Sequence, residues 1–404
     1  MIELENKYID LLLKKCINFN NSKSLFISYH PENIDFINKI VNKAKEYGVI
    51  DIYLYNENVY KKHEILKKIS VDEIDKHSFF NKKIWDEYAL KGASFLILES
   101  EYPGLMDDIA PEKLAKSRYV DRITRPIYKK LQLEFKIPWC KAVLPSKTWA
   151  TKLFPNLTED KAYDKLFELI CEMCMVKTDN PIESWNNFLK EQEILKEKLN
   201  SLKISKLHYK NNLGTDLQLE ITPNTVWHSA GSLGKDMLAN LPTYEIFTNL
   251  DFRKTNGIVY SSRPLCYNGL FIKDFYLEFK EGKVIYYGAK EGKELLKGII
   301  ESDDYSSYLG EVALIPFDSP ISKTNIVYGN TIFDENASCH LALGHGFPEC
   351  IVNNEQLNEE ELFNFGVNPS KNHVDFMIGT SDLEIEAETC KGKTLIFKKG
   401  NYNI

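Results

Sequence analysis

The chain has 404 residues, of which 43% are hydrophobic and 27% charged, with a formal net charge of -7. That length exceeds what one hydrophobic core sustains, so two domains are expected. The negative balance argues against a general affinity for nucleic acid, and no run of about 18 apolar residues is present to cross a membrane.

In chain order, MIELENKYIDLLLKKC reads as an amphipathic helix with Ile9, Leu12, Leu13 and Cys16 on its apolar side, not as a signal peptide. The apolar runs SLFISY, IDIYLY and GASFLILES then alternate with amphipathic stretches such as PENIDFINKIVNKAKEYGV. This βαβ rhythm predicts an N-terminal α/β domain with a mostly parallel sheet, over residues 1–203. No GxGxxG follows the first strand, so a dinucleotide site has no support. The helical region EDKAYDKLFELICEM and PIESWNNFLKEQEILKEKLNSL connects this domain to the second half of the chain, with its Lys and Glu runs on a solvated face. Cys171 and Cys174 lie within this helical pattern and lack a second pair to complete a zinc site. The eight cysteines have no framework spacing, as expected for reduced thiols in the cytoplasm. Trp139, Trp149, Trp185 and Trp227 read as packing residues.

From residue 204 the pattern changes to period-two alternation with Asn, Gly and Lys at the turns, as in SKLHYKNNLGTDLQLEI and LFIKDFYLEFKEGKVIYYGAKEG. A C-terminal α+β domain rich in antiparallel strands is therefore expected over residues 204–404. Candidate metal ligands concentrate in it. The stretch NTIFDENASCHLALGHGF gathers Asp334, Glu335, Cys339, His340 and His345, although burying an unpaired polar group costs about 2 to 7 kcal/mol. Glu245, Glu311 and the pair His373 and Asp375 stand in separate stretches. On a strand, His373 and Asp375 project from one face while Val374 and Phe376 face the other way. Carboxylate oxygen mixed with imidazole nitrogen suits zinc, cobalt or manganese. Taken residue by residue, each of these side chains is also compatible with an ordinary hydrogen-bonded or solvated role.

The stretches NLPTYEIF, SSRPLCYNGLFIKDFYLEFKEGKVI, LGEVALIPFDSPIS, NTIFDENASCHLALG and NHVDFMIGT resemble the M29 metallo-aminopeptidases, the thermophilic aminopeptidase T/S group. IPWCKAVLPSKTWATKLFP in the first half extends the resemblance over essentially the whole chain. It implies two adjacent divalent metals held by Glu245, Glu311, His340, His373 and Asp375, and release of N-terminal residues from peptides with a free amine. It also implies a homodimer whose active sites open toward an enclosed space. Glu311 is the candidate to act as ligand and base together, with Glu335 as the alternative, while Asp334, Glu335 and Asn336 shape the turn that orients His340. The family carries a tyrosine where this chain has Phe347, so a phenolic donor is missing and His345 is the candidate to replace it. Tyr244, directly before Glu245, either narrows the pocket or simply packs. Two other readings are a mononuclear iron oxygenase site built on His340, His373 and Asp375, and a metal-stabilised protein with peptidase activity weakened by Phe347.

Overall fold

In the computed structural model, residues 1–19, 23–222, 224–229, 237–267 and 269–404 are described. The chain divides into two compact units, one of Met1–Asn187 and Leu233–Pro242, the other of Phe188–Ser232 and Thr243–Ile404.

The predicted apolar runs of the first unit become the strands Ser24–Tyr29, Asp51–Asn56 and Ser94–Glu99. They pair in parallel with one another, with Trp139–Val143 and with the short strand Asn240–Leu241. The α/β expectation holds here. Intervening helices such as Ile34–Glu46 bury one apolar stripe, Phe36, Ile37, Ile40 and Ala44. One local difference occurs at the N-terminus. The helix Ile2–Asp10 continues as a π-helical segment, Leu11–Cys16, instead of keeping α geometry throughout. Leu11, Leu12, Leu13 and Cys16 are all fully buried, and the wider turn lets three consecutive leucines face apolar surroundings.

The second unit is antiparallel, again as the alternation implies. The strands Lys206–Lys210 and Asp216–Glu220 form a hairpin in a nine-stranded sheet. A separate five-stranded sheet runs in the order His373–Met377, His340–Gly344, Leu309–Leu314, Ile246–Thr248, His228–Ser229. Ile246, Val312, Leu314, Leu341, Leu343, Val374 and Phe376 join one hydrophobic cluster with Leu207, Leu217, Val259 and Phe275 of the larger sheet. Alternation then sends Glu245, Glu311, His340, His373 and Asp375 to the opposite face.

Among the described residues the eight cysteines form no disulfide, and Trp149, Trp185 and Trp227 are buried. Among the described residues no helix is long and apolar enough to cross a membrane.

Candidate metal centre

Register brings the acidic side chains together. Ala342 pairs with Glu311 on one side and Asp375 on the other, so a small residue stands between two carboxylates. The pairing shifts between Leu309 and Glu311, and a Cβ on Gly310 would collide with the Gly344 carbonyl. That irregularity re-aims Glu311 at the sheet face, where it is only 3% exposed.

Two groups of ligand-type side chains result among the described residues: Glu245, Glu311 and His340, and Glu311, His373 and Asp375. Glu311 belongs to both. His340 Nε2 lies 3.4 Å from Glu245 Oε2 and 4.0 Å from both Glu311 Oε1 and Asp375 Oδ1. His373 Nε2 lies 3.2 Å from Glu311 Oε2 and 3.2 Å from Asp375 Oδ1.

The surrounding backbone selects how the imidazoles face. His340 Nδ1 is 2.9 Å from the Glu335 carbonyl, and His373 Nδ1 is 2.8 Å from the His345 carbonyl. A carbonyl only accepts, so Nδ1 carries the proton in both rings and Nε2 of the neutral ring presents a lone pair to the carboxylates. With Nε2 unprotonated, acceptor faces acceptor at 3.2 Å, a contact relieved by a positive charge between them, either a metal ion or the second proton of an imidazolium. Asp375 Oδ1 is buried and makes no hydrogen bond, which fits the same need.

Electrostatics express this excess of negative charge. Burial, reinforced by the Glu311 carboxylate, pushes Glu245 up to about 7. Burial works against a charged His340, but the carboxylates of Glu311, Asp375 and Glu245 outweigh it and hold the ring above its ordinary value. His373 is likewise raised, burial being overcome by Asp375 and Glu311. Asp375 is held down at about 2, because the His373 ring outweighs its burial. Oxygen and nitrogen donors with this charge balance fit a divalent transition metal.

The rest of the histidine segment has supporting positions. The Asp334 carboxylate accepts the Tyr328 and Gly329 N–H groups at 2.8 and 2.7 Å, so it shapes a turn. The Asn336 amide oxygen accepts the Tyr244 N–H at 2.6 Å, tying the segment to the residue before Glu245. Tyr244 itself is buried and packs edge-on against Phe188. Cys339 turns to the opposite face, where its thiol meets the Ile315 backbone. The His345 ring joins neither ligand group; its Nδ1 is 3.1 Å from the Ser370 carbonyl. Phe347 places its ring 5.0 Å from that of His373. Asn249 was not anticipated: it is fully buried and hydrogen-bonds the Phe347 backbone. A lone Asn at a strand end carries no sequence signal for a partner 98 positions away.

Comparison with known proteins agrees with this chemistry. Aminopeptidase AmpS of Bacillus subtilis (strain 168) is 34% identical over 98% of each chain. Aminopeptidase 2 of Geobacillus stearothermophilus is 33% identical over 98% of this chain and 97% of its own. The solved structure of wild-type AmpT from Thermus thermophilus matches with a TM-score of 0.91 at 26% identity, covering 100% of this chain and 99% of that one. A 2,5-dihydroxypyridine dioxygenase from Pseudomonas putida KT2440 matches with a TM-score of 0.55 over 99% of this chain and 96% of its own, and at 10% identity it shares the fold alone. The family described as thermophilic metalloprotease (M29) matches residues 3–402. With divalent-metal donors gathered on one sheet face and the match running nearly end to end, the chain belongs to the M29 family of thermophilic metalloproteases and is a metallo-aminopeptidase.

Proposed function

We propose that the chain releases single N-terminal residues from peptides at a centre of two divalent cations, zinc, cobalt or manganese, held by Glu245, Glu311, His340, His373 and Asp375. One observation carries this reading: Glu311 is common to both ligand groups, with Oε1 toward His340 and Oε2 toward His373. A catalytic zinc site with one ion commonly uses three protein ligands, so five donors around a shared carboxylate suit a pair of ions. A mononuclear iron oxygenase site is not favoured, because it leaves Glu245 and Glu311 without a role.

When bound, the two ions supply a water of lowered pKa, polarise the scissile carbonyl and stabilise the oxyanion. The chain's own groups do the rest. Nδ1 of His340 and of His373 is committed to a carbonyl, which fixes Nε2 toward the centre. Glu311 is assigned two roles, ligand and base, the second being the transfer of the proton to the leaving amine. Assigning that proton to Glu335 instead is favoured by one feature, the turning of both Glu311 oxygens toward histidines. Glu335→Gln separates the two: a kcat within about threefold of wild type keeps the proton on Glu311, and a loss of roughly 100-fold with metal retained moves it to Glu335.

The overall reading is tested by metal content under native mass spectrometry together with a panel of aminoacyl fluorogenic amides. About two ions per chain and cleavage only of free-amine substrates are expected, since acetylation removes the lone pair that the centre recognises. Cutting inside a blocked peptide refutes it. We also infer a cytoplasmic homodimer; light scattering that gives a monomer mass overturns that part.

A further inference from the structure

Asn249 follows the strand Ile246–Thr248 and is fully buried. A primary amide in that position is costly unless its groups find partners. Its Oδ1 accepts the Phe347 N–H at 2.7 Å, and its Nδ2 donates to the Phe347 carbonyl. One side chain thus grips both backbone groups of a residue in a non-strand segment, as a neighbouring strand would.

The other side of the segment is held too. Gly346 N–H donates to the Asn368 carbonyl at 3.0 Å, and Asn368 Nδ2 reaches the carbonyls of Tyr305, Tyr308 and Leu309. A Cβ on Gly346 would sit 3.0 Å from Asn249 Oδ1 and 3.1 Å from Asn368 N, so the segment has little room to shift.

What the pinned segment touches is the His373 imidazole. The His345 carbonyl takes its Nδ1–H, and the Phe347 ring lies against it at 5.0 Å with an interplanar angle of 56°. Phe247, two residues before Asn249, backs the Phe347 ring at 5.4 Å. We propose that Asn249 is a positioning residue for His373, acting through the His345–Phe347 segment to fix the direction of Nε2. This rests on the proposed role of His373 as a metal ligand.

The test uses full-length Asn249→Ala, His373→Ala and the double variant, each stripped of metal and titrated with cobalt(II) against a chelating indicator while the visible spectrum is recorded. Asn249→Ala is expected to weaken cobalt binding by roughly 10- to 100-fold, the usual effect of removing an outer support of a ligand, and to shift the cobalt bands. With His373→Ala already present, adding Asn249→Ala changes the affinity by no more than about twofold, because the supported ligand is gone. In turnover, kcat falls and KM stays near wild type. A merely structural amide lowers the melting temperature but leaves the affinity and spectrum of the folded protein at wild-type values, and that result overturns the proposal. Should Asn249→Ala fail to fold, Asn249→Asp keeps the acceptor for the Phe347 N–H, loses the donor, and is read by the same titration. Wild-type cobalt binding in His373→Ala removes the ligand assignment and the clamp with it. A changed His373→Ala beside an unchanged Asn249→Ala removes the clamp alone.

Discussion

Each unit buries charge, and the two do it differently. In the first, Lys82 has a side chain 3% exposed, with Nζ 2.9 Å from Glu57 Oε1 and 3.9 Å from Asp121 Oδ1. Its ammonium also lies 4.6 Å from the Tyr55 ring centre, and Lys62 meets Asp121 at 3.3 Å. Burial alone would neutralise these groups, yet Glu57 and Asp121 raise Lys82, and Lys82 lowers Glu57. Within this network each charge has its opposite. In the second unit three carboxylates face two imidazoles, and Glu245 is pushed up to about 7, toward the protonated form. Buried charge by itself therefore does not mark a site. An excess of one sign, with lone pairs turned at one another, does.

The largest effects that would break this contrast concern the unbalanced centre. His340→Ala and Asp375→Ala are each expected to lower kcat/KM by roughly 1000-fold or more, since a lost cation withdraws several kcal/mol of charge stabilisation and each tenfold is about 1.4 kcal/mol. Metal content should fall with it, and circular dichroism should still report a folded chain. Near wild-type turnover in either variant would refute that ligand.

Lys82→Met probes the balanced network. It leaves the Glu57 and Asp121 carboxylates without their shared cation, which costs about 3 kcal/mol, near the lower end for a broken buried pair because both acids keep some contact with water. Urea unfolding of the first unit should show the loss while cobalt content stays unchanged. If cobalt content drops instead, the two regions are coupled and the contrast between a structural and a functional charge cluster fails.

How far such features can be read in the sequence depends on the range of the interaction. Strand alternation is local, so the common face of His373 and Asp375, with Val374 and Phe376 in the core, is legible from a five-residue stretch. The parallel and antiparallel halves follow from the same kind of periodicity. Lys82 looks like any surface lysine because Glu57 and Asp121 lie 25 and 39 positions away along the chain. Asn249 is equally silent, its partner being 98 positions distant. The π-helical segment Leu11–Cys16 escapes because an apolar stripe at helical spacing does not distinguish a turn of 3.6 residues from a wider one. Joining Glu245 and Glu311 to the histidines required either the register of the whole sheet or the family resemblance.

The smallest expected effect is the most discriminating. Phe347 lies against the His373 ring on a backbone gripped by Asn249, so a tyrosine there keeps the same ring position and adds one hydroxyl. Because that hydroxyl can donate to charge that develops only during the reaction, Phe347→Tyr should raise kcat by about 10-fold with KM and metal content little changed. A fall in kcat would mean that the surroundings are shaped to the phenyl ring, and the His345 imidazole, now bonded to the Ser370 carbonyl, would be the donor to remove next. An unchanged kcat would mean that the ring tip points away from the reacting carbonyl. Phe347 would then act on turnover only by packing against His373, and its substitution by leucine should lower cobalt affinity without altering which N-terminal residues are released.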